Sequence, residues 1–394
     1  GAAAAGLAYA VGSTLVSMSP ASAAAGRDGG GNVLVVLSMR GAADGLSLVV
    51  PHGDPVYYAA RPTIAIPKAS LLNADSFFGF HPELAPLMPM WTAGTLATVQ
   101  ATGLATPNRS HFSAMEEVED ADPGSSTRTG WLNRLLGTTP TTSPLEGLAV
   151  GQPTTQFYGP QPVMSFSSLD EAEIAGDDKW DPDDQRIRSL HAAWDRSGSP
   201  LGQAFRSTMA SVAGLAPAKA QADDTASYPD TDLGKALSSV ARTLRGRVGV
   251  GLVTVDQGDW DMHTELGTVA RGRMVDNTKD FAASVAAFFA DLGDVASNVT
   301  LVTISEFGRR VVENGDVGVD HGWGNVMFVA GAGVKGGQHY GSWPGLSNTL
   351  DADLTVTTDY RSVLSEIVTA RTPASSAAVF PGFSPRTLGV MRAG

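Results

Sequence analysis

The chain contains no cysteine. Disulfides, thiolate metal sites and cysteine nucleophiles are therefore excluded within it. Histidine is scarce as well, with seven residues: His52, His81, His111, His191, His263, His321 and His339. A transition-metal site here must draw on these imidazoles and on carboxylates. Basic residues are outnumbered, 27 Lys and Arg against 40 Asp and Glu, for a formal net charge of −13. That balance argues against nucleic acid or an anionic membrane surface as the main partner. Small anionic substrates stay open, because a local site can be positive inside an acidic protein. Beyond the N-terminal segment no apolar run reaches the length of a membrane span, so no integral membrane segment is expected in the mature chain.

What is present is globular in character: 394 residues, 43% hydrophobic, 17% charged, with 45 Gly that favour loops and tight turns. The N-terminal run GAAAAGLAYAVGSTLVSMSPASAAAGRDGG is mildly apolar and leads to Ala21-Ser22-Ala23, a small-x-small cleavage pattern. Residues 1–25 thus read as the remnant of an export signal, with the chain expected to start inside it. Their low hydrophobicity suits the twin-arginine route, and the mature protein is expected to be exported. Residues 31–394 are expected to form a single domain.

Near-continuous Val, Leu and Ile runs at Asn32–Ser38, Leu96–Ala101, Val248–Val255, Val299–Ile304 and Asn325–Ala330 predict strands covered on both faces. Helical spacing at Asp232–Leu244 and Asp276–Leu292, and a capped pattern at Asp359–Ala370, fall between or after them. The alternation predicts an α/β fold with a mostly parallel central sheet flanked by helices. Residues 120–230, rich in Pro, Gly, Ser, Thr and Asp, read as a loop-rich cap or insertion, with short helices at Gln185–Asp195 and Gly202–Val212.

Open α/β sheets bind ligands at the carboxyl ends of their strands. Four ligand-type clusters follow predicted strands here. Met39-Arg40-Gly41-Ala42-Ala43-Asp44-Gly45 places Asp44 in a Gly-rich turn, where on its own it reads as a turn or capping residue. Thr106-Pro107-Asn108-Arg109-Ser110-His111-Phe112 puts Ser110 at a helix N-cap. A hydroxyl there feels the positive end of the helix dipole, and Arg109 can hold anionic oxygens. Asp256-Gln257-Gly258-Asp259-Trp260-Asp261-Met262-His263 packs carboxylates and an imidazole around a Trp, which suits a metal better than a surface loop does. Glu306 ends its strand, with Asp320 and His321 after a short loop; a salt bridge from Glu306 to Arg309 or Arg310 is the plainer reading of that Glu.

The motifs RGAADGLSLVVPHGDPVYY, TPNRSHFSAMEE, DWDMH, TISEFGR and VDHGWGN resemble the alkaline phosphatase superfamily, which includes sulfatases, nucleotide pyrophosphatases and cofactor-independent phosphoglycerate mutases. More closely, the chain looks like a typically twin-arginine-exported branch, the domain-of-unknown-function family fifteen-oh-one. The resemblance implies an alkaline-phosphatase-like fold and a nucleophile between two divalent metals. It implies Asp44 and Glu306 as ligands on the nucleophile side, Ser110 as nucleophile with Thr106 in reserve, and Asp261 and His263 as ligands of the other metal, Asp259 being an alternative to Asp261. His321 is implied as the late His ligand and Asp320 as a further one. His111 or His263 would assist proton transfer. Phe307 stands where the superfamily has His or Asn and cannot ligate, so one or two metals are expected, zinc, manganese, magnesium or calcium. The function implied is a secreted metal-dependent hydrolase of a small anionic phosphate or sulfate ester. The other reading is a non-catalytic exported binding protein that retains the fold, with or without one metal.

Overall fold

In the computed structural model, which describes residues 7–11, 14–18, 31–123, 125–139, 143–173 and 182–392, the sequence's apolar runs become the middle of one large sheet. Its main strands are β1 (Val33–Met39), β2 (Leu96–Gly103), β3 (Gly147–Val150), β4 (Val163–Phe166), β5 (Leu252–Gln257), β6 (Val299–Ile304) and β7 (Asn325–Gly331). They lie in the order β4-β3-β5-β1-β6-β7-β2. The neighbours from β4 to β6 are all parallel. Of these seven strands, β7 alone runs against its two neighbours, β6 and β2. The carboxyl ends of β1, β2, β5 and β6 therefore share one edge with the amino end of β7.

The sheet is buried on both sides, as the unbroken apolar runs require. Along β1, Val33, Val35, Leu37 and Met39 enter one core, while Leu34 and Val36 enter the other. The first core is covered by α3 (Asp232–Arg245) and α4 (Arg273–Asp291), the second by α1 (His111–Asp120) and α5 (Tyr360–Arg371), with α2 (Pro200–Gly214) lying between α1 and α3 in the chain. Helix α3 buries Leu233, Leu237, Val240, Ala241 and Leu244 at helical spacing. Each of its fully buried Leu and Val side chains contributes about 1.5–3 kcal/mol. Thr231 caps it by accepting from Gly234 N at 3.1 Å. Asp359 caps α5 by accepting from Arg361 N at 2.9 Å.

Residues 120–230, expected as a cap or insertion, contribute β3 and β4 to the central sheet. Both are four residues long and lie among Pro, Gly and Thr, which masked them in the sequence. The strand expected over Val248–Val255 starts at Leu252, because Arg247 and Gly249 take positive φ and turn the chain first. Of the expected export signal, Leu7–Val11 and Thr14–Met18 form a hairpin on β4. The cleavage pattern Ala21-Ser22-Ala23 lies outside the described residues. Among the described residues no helix is long and apolar enough to cross a membrane.

Candidate metal centre

The shared edge gathers the ends of four chain segments. In the segment after β5, Trp260 and Met262 are buried in the core, while Asp261 and His263 stay partly open to solvent. Alternation in an extended segment thus turns Asp261 and His263 to one side. Asp259 breaks the alternation with φ of 65° and is not brought to the cluster. His111 begins α1, following β2. His321 precedes β7, and reaches the same edge because that strand is antiparallel.

His111, Asp261, His263 and His321 each offer one ligand atom, and these atoms all lie within 4.8 Å of one another. The His321 Nε2 is 2.9 Å from His111 Nε2 and 2.8 Å from His263 Nε2. Asp261 Oδ1 is 3.1 Å from His263 Nε2, 3.5 Å from His111 Nε2 and 3.7 Å from His321 Nε2.

The outward nitrogens decide what this cluster needs. His111 Nδ1 is 2.7 Å from Glu306 Oε1, His263 Nδ1 is 2.8 Å from Asp320 Oδ1, and His321 Nδ1 is 2.7 Å from the Arg109 carbonyl. Carboxylates and carbonyls only accept, so each Nδ1 donates, and each neutral ring keeps a bare lone pair on Nε2. Those lone pairs face one another. One proton can serve only one of the two short contacts, whereas a cation accepts all of the lone pairs together with Asp261 Oδ1. Tetrahedral donors at about 2.0–2.1 Å from zinc sit roughly 3.3 Å apart, close to the contacts observed here. The donor set and its outer partners fit a divalent transition metal such as zinc.

A second layer of contacts holds the donors in place. Arg309 is fully buried and donates to Asp261 Oδ1 at 2.7 Å, to Ala42 O at 2.7 Å, to Val319 O at 3.1 Å and to Gly41 O. It ties the loops after β1, β5 and β6 together at Asp261. Sequence reading offered Arg309 only as a salt-bridge partner for Glu306; its position beside a strand-tip carboxylate was the available signal. Glu306 instead accepts from Gly41 N at 2.8 Å as well as from His111. Gly41 has φ of 106°, and a Cβ there would stand 2.5 Å from Asp261 N, so only glycine allows this approach.

The charges follow these contacts. Partial burial raises the Asp261 carboxyl, but the hydrogen bond and charge of Arg309 outweigh it and hold the group below its usual range. The hydrogen bond from His263 likewise lowers Asp320. Partial burial pushes His321 below the ordinary imidazole value, which favours the neutral form a metal would need.

Asp44 departs from the expectation most clearly. Its carboxylate pairs with Arg61, which places Nη2 at 2.9 Å from Oδ1 and Nη1 at 2.5 Å from Oδ2. Ser110 is exposed at the N-cap of α1, and its hydroxyl makes no cap hydrogen bond. The Arg109 guanidinium is turned to Asp353. Phe307 is buried, its ring centroid 4.9 Å from those of both His111 and His321.

Residues 32–365 match the family described as "Protein of unknown function (DUF1501)". No curated protein matches the chain. Among solved structures, the chain is similar to the C-terminal periplasmic domain of EcEptC from Escherichia coli, solved in complex with zinc, at a TM-score of 0.35 and 13% identity, over 82% of this chain and 76% of that one. BT1596, a 2-O GAG sulfatase, gives a TM-score of 0.26 and 10% identity over 77% of this chain and 65% of its own.

Proposed function

The chain belongs to the DUF1501 family, and we propose that it is a metal-dependent hydrolase of phosphate or sulfate esters. The observation that carries this reading is the convergence of three Nε2 lone pairs and Asp261 Oδ1 at the ligand edge of the sheet, with every Nδ1 already committed. His111, Asp261, His263 and His321 would hold the ion. Such an ion supplies positive charge against the oxygens of an anionic ester. Glu306, Asp320 and the Arg109 carbonyl keep the rings in the tautomer that ligates, and Arg309 fixes Asp261.

Ser110 would be the nucleophile. It precedes His111 by one residue, its hydroxyl has no hydrogen-bond partner among the described residues, and it sits where the first amides of α1 can receive an anion. Asp44, Asp259 and the Arg109 guanidinium have no part in this assignment. Export of the protein is proposed from the sequence of residues 1–25 alone.

Ser110→Ala tests the reading against a panel of chromogenic phosphate and sulfate esters. The variant should bind metal as the parent does and lose turnover. Equal turnover in variant and parent removes Ser110 from the mechanism. The second reading, an exported metal-binding protein without catalysis, is favoured by the pairing of Arg109 with Asp353, which turns an expected anion-holding group away. It gains ground if the metal-loaded parent turns over no ester of the panel.

A further inference from the structure

We propose that this chain holds a single metal ion, and that the Arg61 guanidinium supplies, beside Asp44, the positive charge that the superfamily resemblance assigns to a second ion. The inference rests on the metal-dependent reading above.

Three groups would have to serve a second ion on the nucleophile side, and each is committed elsewhere. Asp44 is buried at 1% exposure and has both oxygens on Arg61, with Ser47 Oγ donating to Oδ2 at 2.5 Å. Arg61 is itself fully buried, and its remaining donors reach Val311 O at 2.9 Å and Arg310 O at 2.9 Å. That guanidinium is fixed from several sides and is always charged. A divalent ion at Asp44 would meet an immobile like charge.

Glu306 is the second group. Its Oε1 accepts from both Gly41 N and His111 Nδ1, and the side chain is 3% exposed. Removing that oxygen from His111 would free Nδ1 to become an acceptor and undo the tautomer on which the first site depends. Phe307 is the third. It offers no donor atom and lies against the His111 and His321 rings, so the space beside those ligands is apolar. The same sheet edge that builds one centre thus closes the place of another with an ion pair and an aromatic ring.

Metal stoichiometry tests this without any substrate. The full chain is loaded in turn with excess zinc, manganese and magnesium, passed through gel filtration, and measured by elemental mass spectrometry. A cobalt titration followed by visible absorbance gives the number independently. One equivalent per chain is expected. Two equivalents overturn the single-ion inference and leave the hydrolase reading standing. No bound metal overturns both. Asp44→Asn adds a second arm: the folded variant should keep its one equivalent, and loss of metal from a variant with parental circular dichroism would place Asp44 among the ligands and overturn the proposal. If that variant does not fold, the parental stoichiometry decides.

Discussion

Arg309 Nη2 lies 2.7 Å from Asp261 Oδ1, joining a guanidinium with no solvent exposure to a carboxylate that is about half exposed. The pair spans the loops after β5 and β6. It makes the position of Asp261 a property of the core rather than of a surface loop, since Arg309 also carries the carbonyls of Gly41, Ala42 and Val319. Arg309→Lys keeps a charge but cannot reproduce this fork of donors. Metal affinity should fall by about 10–100-fold, as for other outer partners of metal ligands. Competition against a fluorescent chelator reads it, and parental affinity would show that Asp261 needs no such support.

Glu306 acts through His111. In Glu306→Gln the side-chain amide can offer His111 Nδ1 a donor as readily as an acceptor, so the ring loses its fixed tautomer. Metal affinity should again drop by about 10–100-fold. His111→Ala should go further and lose the ion under the same dialysis. A His111→Ala protein that keeps metal while losing only turnover would restore His111 to the proton-transfer role read from the sequence.

The Asp44–Arg61 pair has both partners buried. Asp44→Ala leaves Arg61 buried and uncompensated, which costs about 3–5 kcal/mol. Urea unfolding of the apo protein should show the loss as a shift in midpoint. A change below about 1 kcal/mol, the range of surface ion pairs, would contradict the burial described.

Acid sensitivity should come partly from histidines outside the centre. Burial lowers His81 to about 4, and it lowers His339 to about 4 as well. His81 accepts from Glu83 N through Nδ1, and His339 Nδ1 meets Thr98 Oγ1; the Nε2 of each is buried without a partner among the described residues. Both are neutral in the folded chain, whereas the unfolded chain protonates them near the ordinary imidazole value of 6.5. Between these values the unfolded state binds more protons, so stability falls as pH drops from about 6.5 towards about 4. For His81 the loss is on the order of 3 kcal/mol, and less for the more exposed His339. Unfolding of the apo protein at pH 7 and 4.5, with His81→Gln alongside, reads it; the variant should lose less stability on acidification. An equal loss in both would remove His81 from the account.

Much of this was legible in the sequence. The unbroken runs of β1, β2, β6 and β7 could only be strands covered on both faces, and Trp260 beside Asp261 and His263 marked a loop anchored to the core. Other features were set by distance through space. Nothing near Asp44 announced Arg61, which reaches it from a loop 17 residues on. His111 read as a proton carrier because a place in a helix's first turn does not tell where a ring nitrogen points. Glu306 and Asp320 read as ligands from the sequence, being carboxylates at the right edge; that each faces the Nδ1 of an imidazole, His111 and His263, is set through space. β3 and β4 were too short to stand out from their loops.

In the proposed centre three imidazoles and Asp261 hold one ion. X-ray absorption at the zinc edge, on zinc-loaded protein with excess metal removed, tests it directly. The expected result is a four-coordinate shell of nitrogen and oxygen at about 2.0–2.2 Å with the outer-shell scattering of three imidazoles. A shell of oxygen alone, or one with the scattering of a single imidazole, would contradict it.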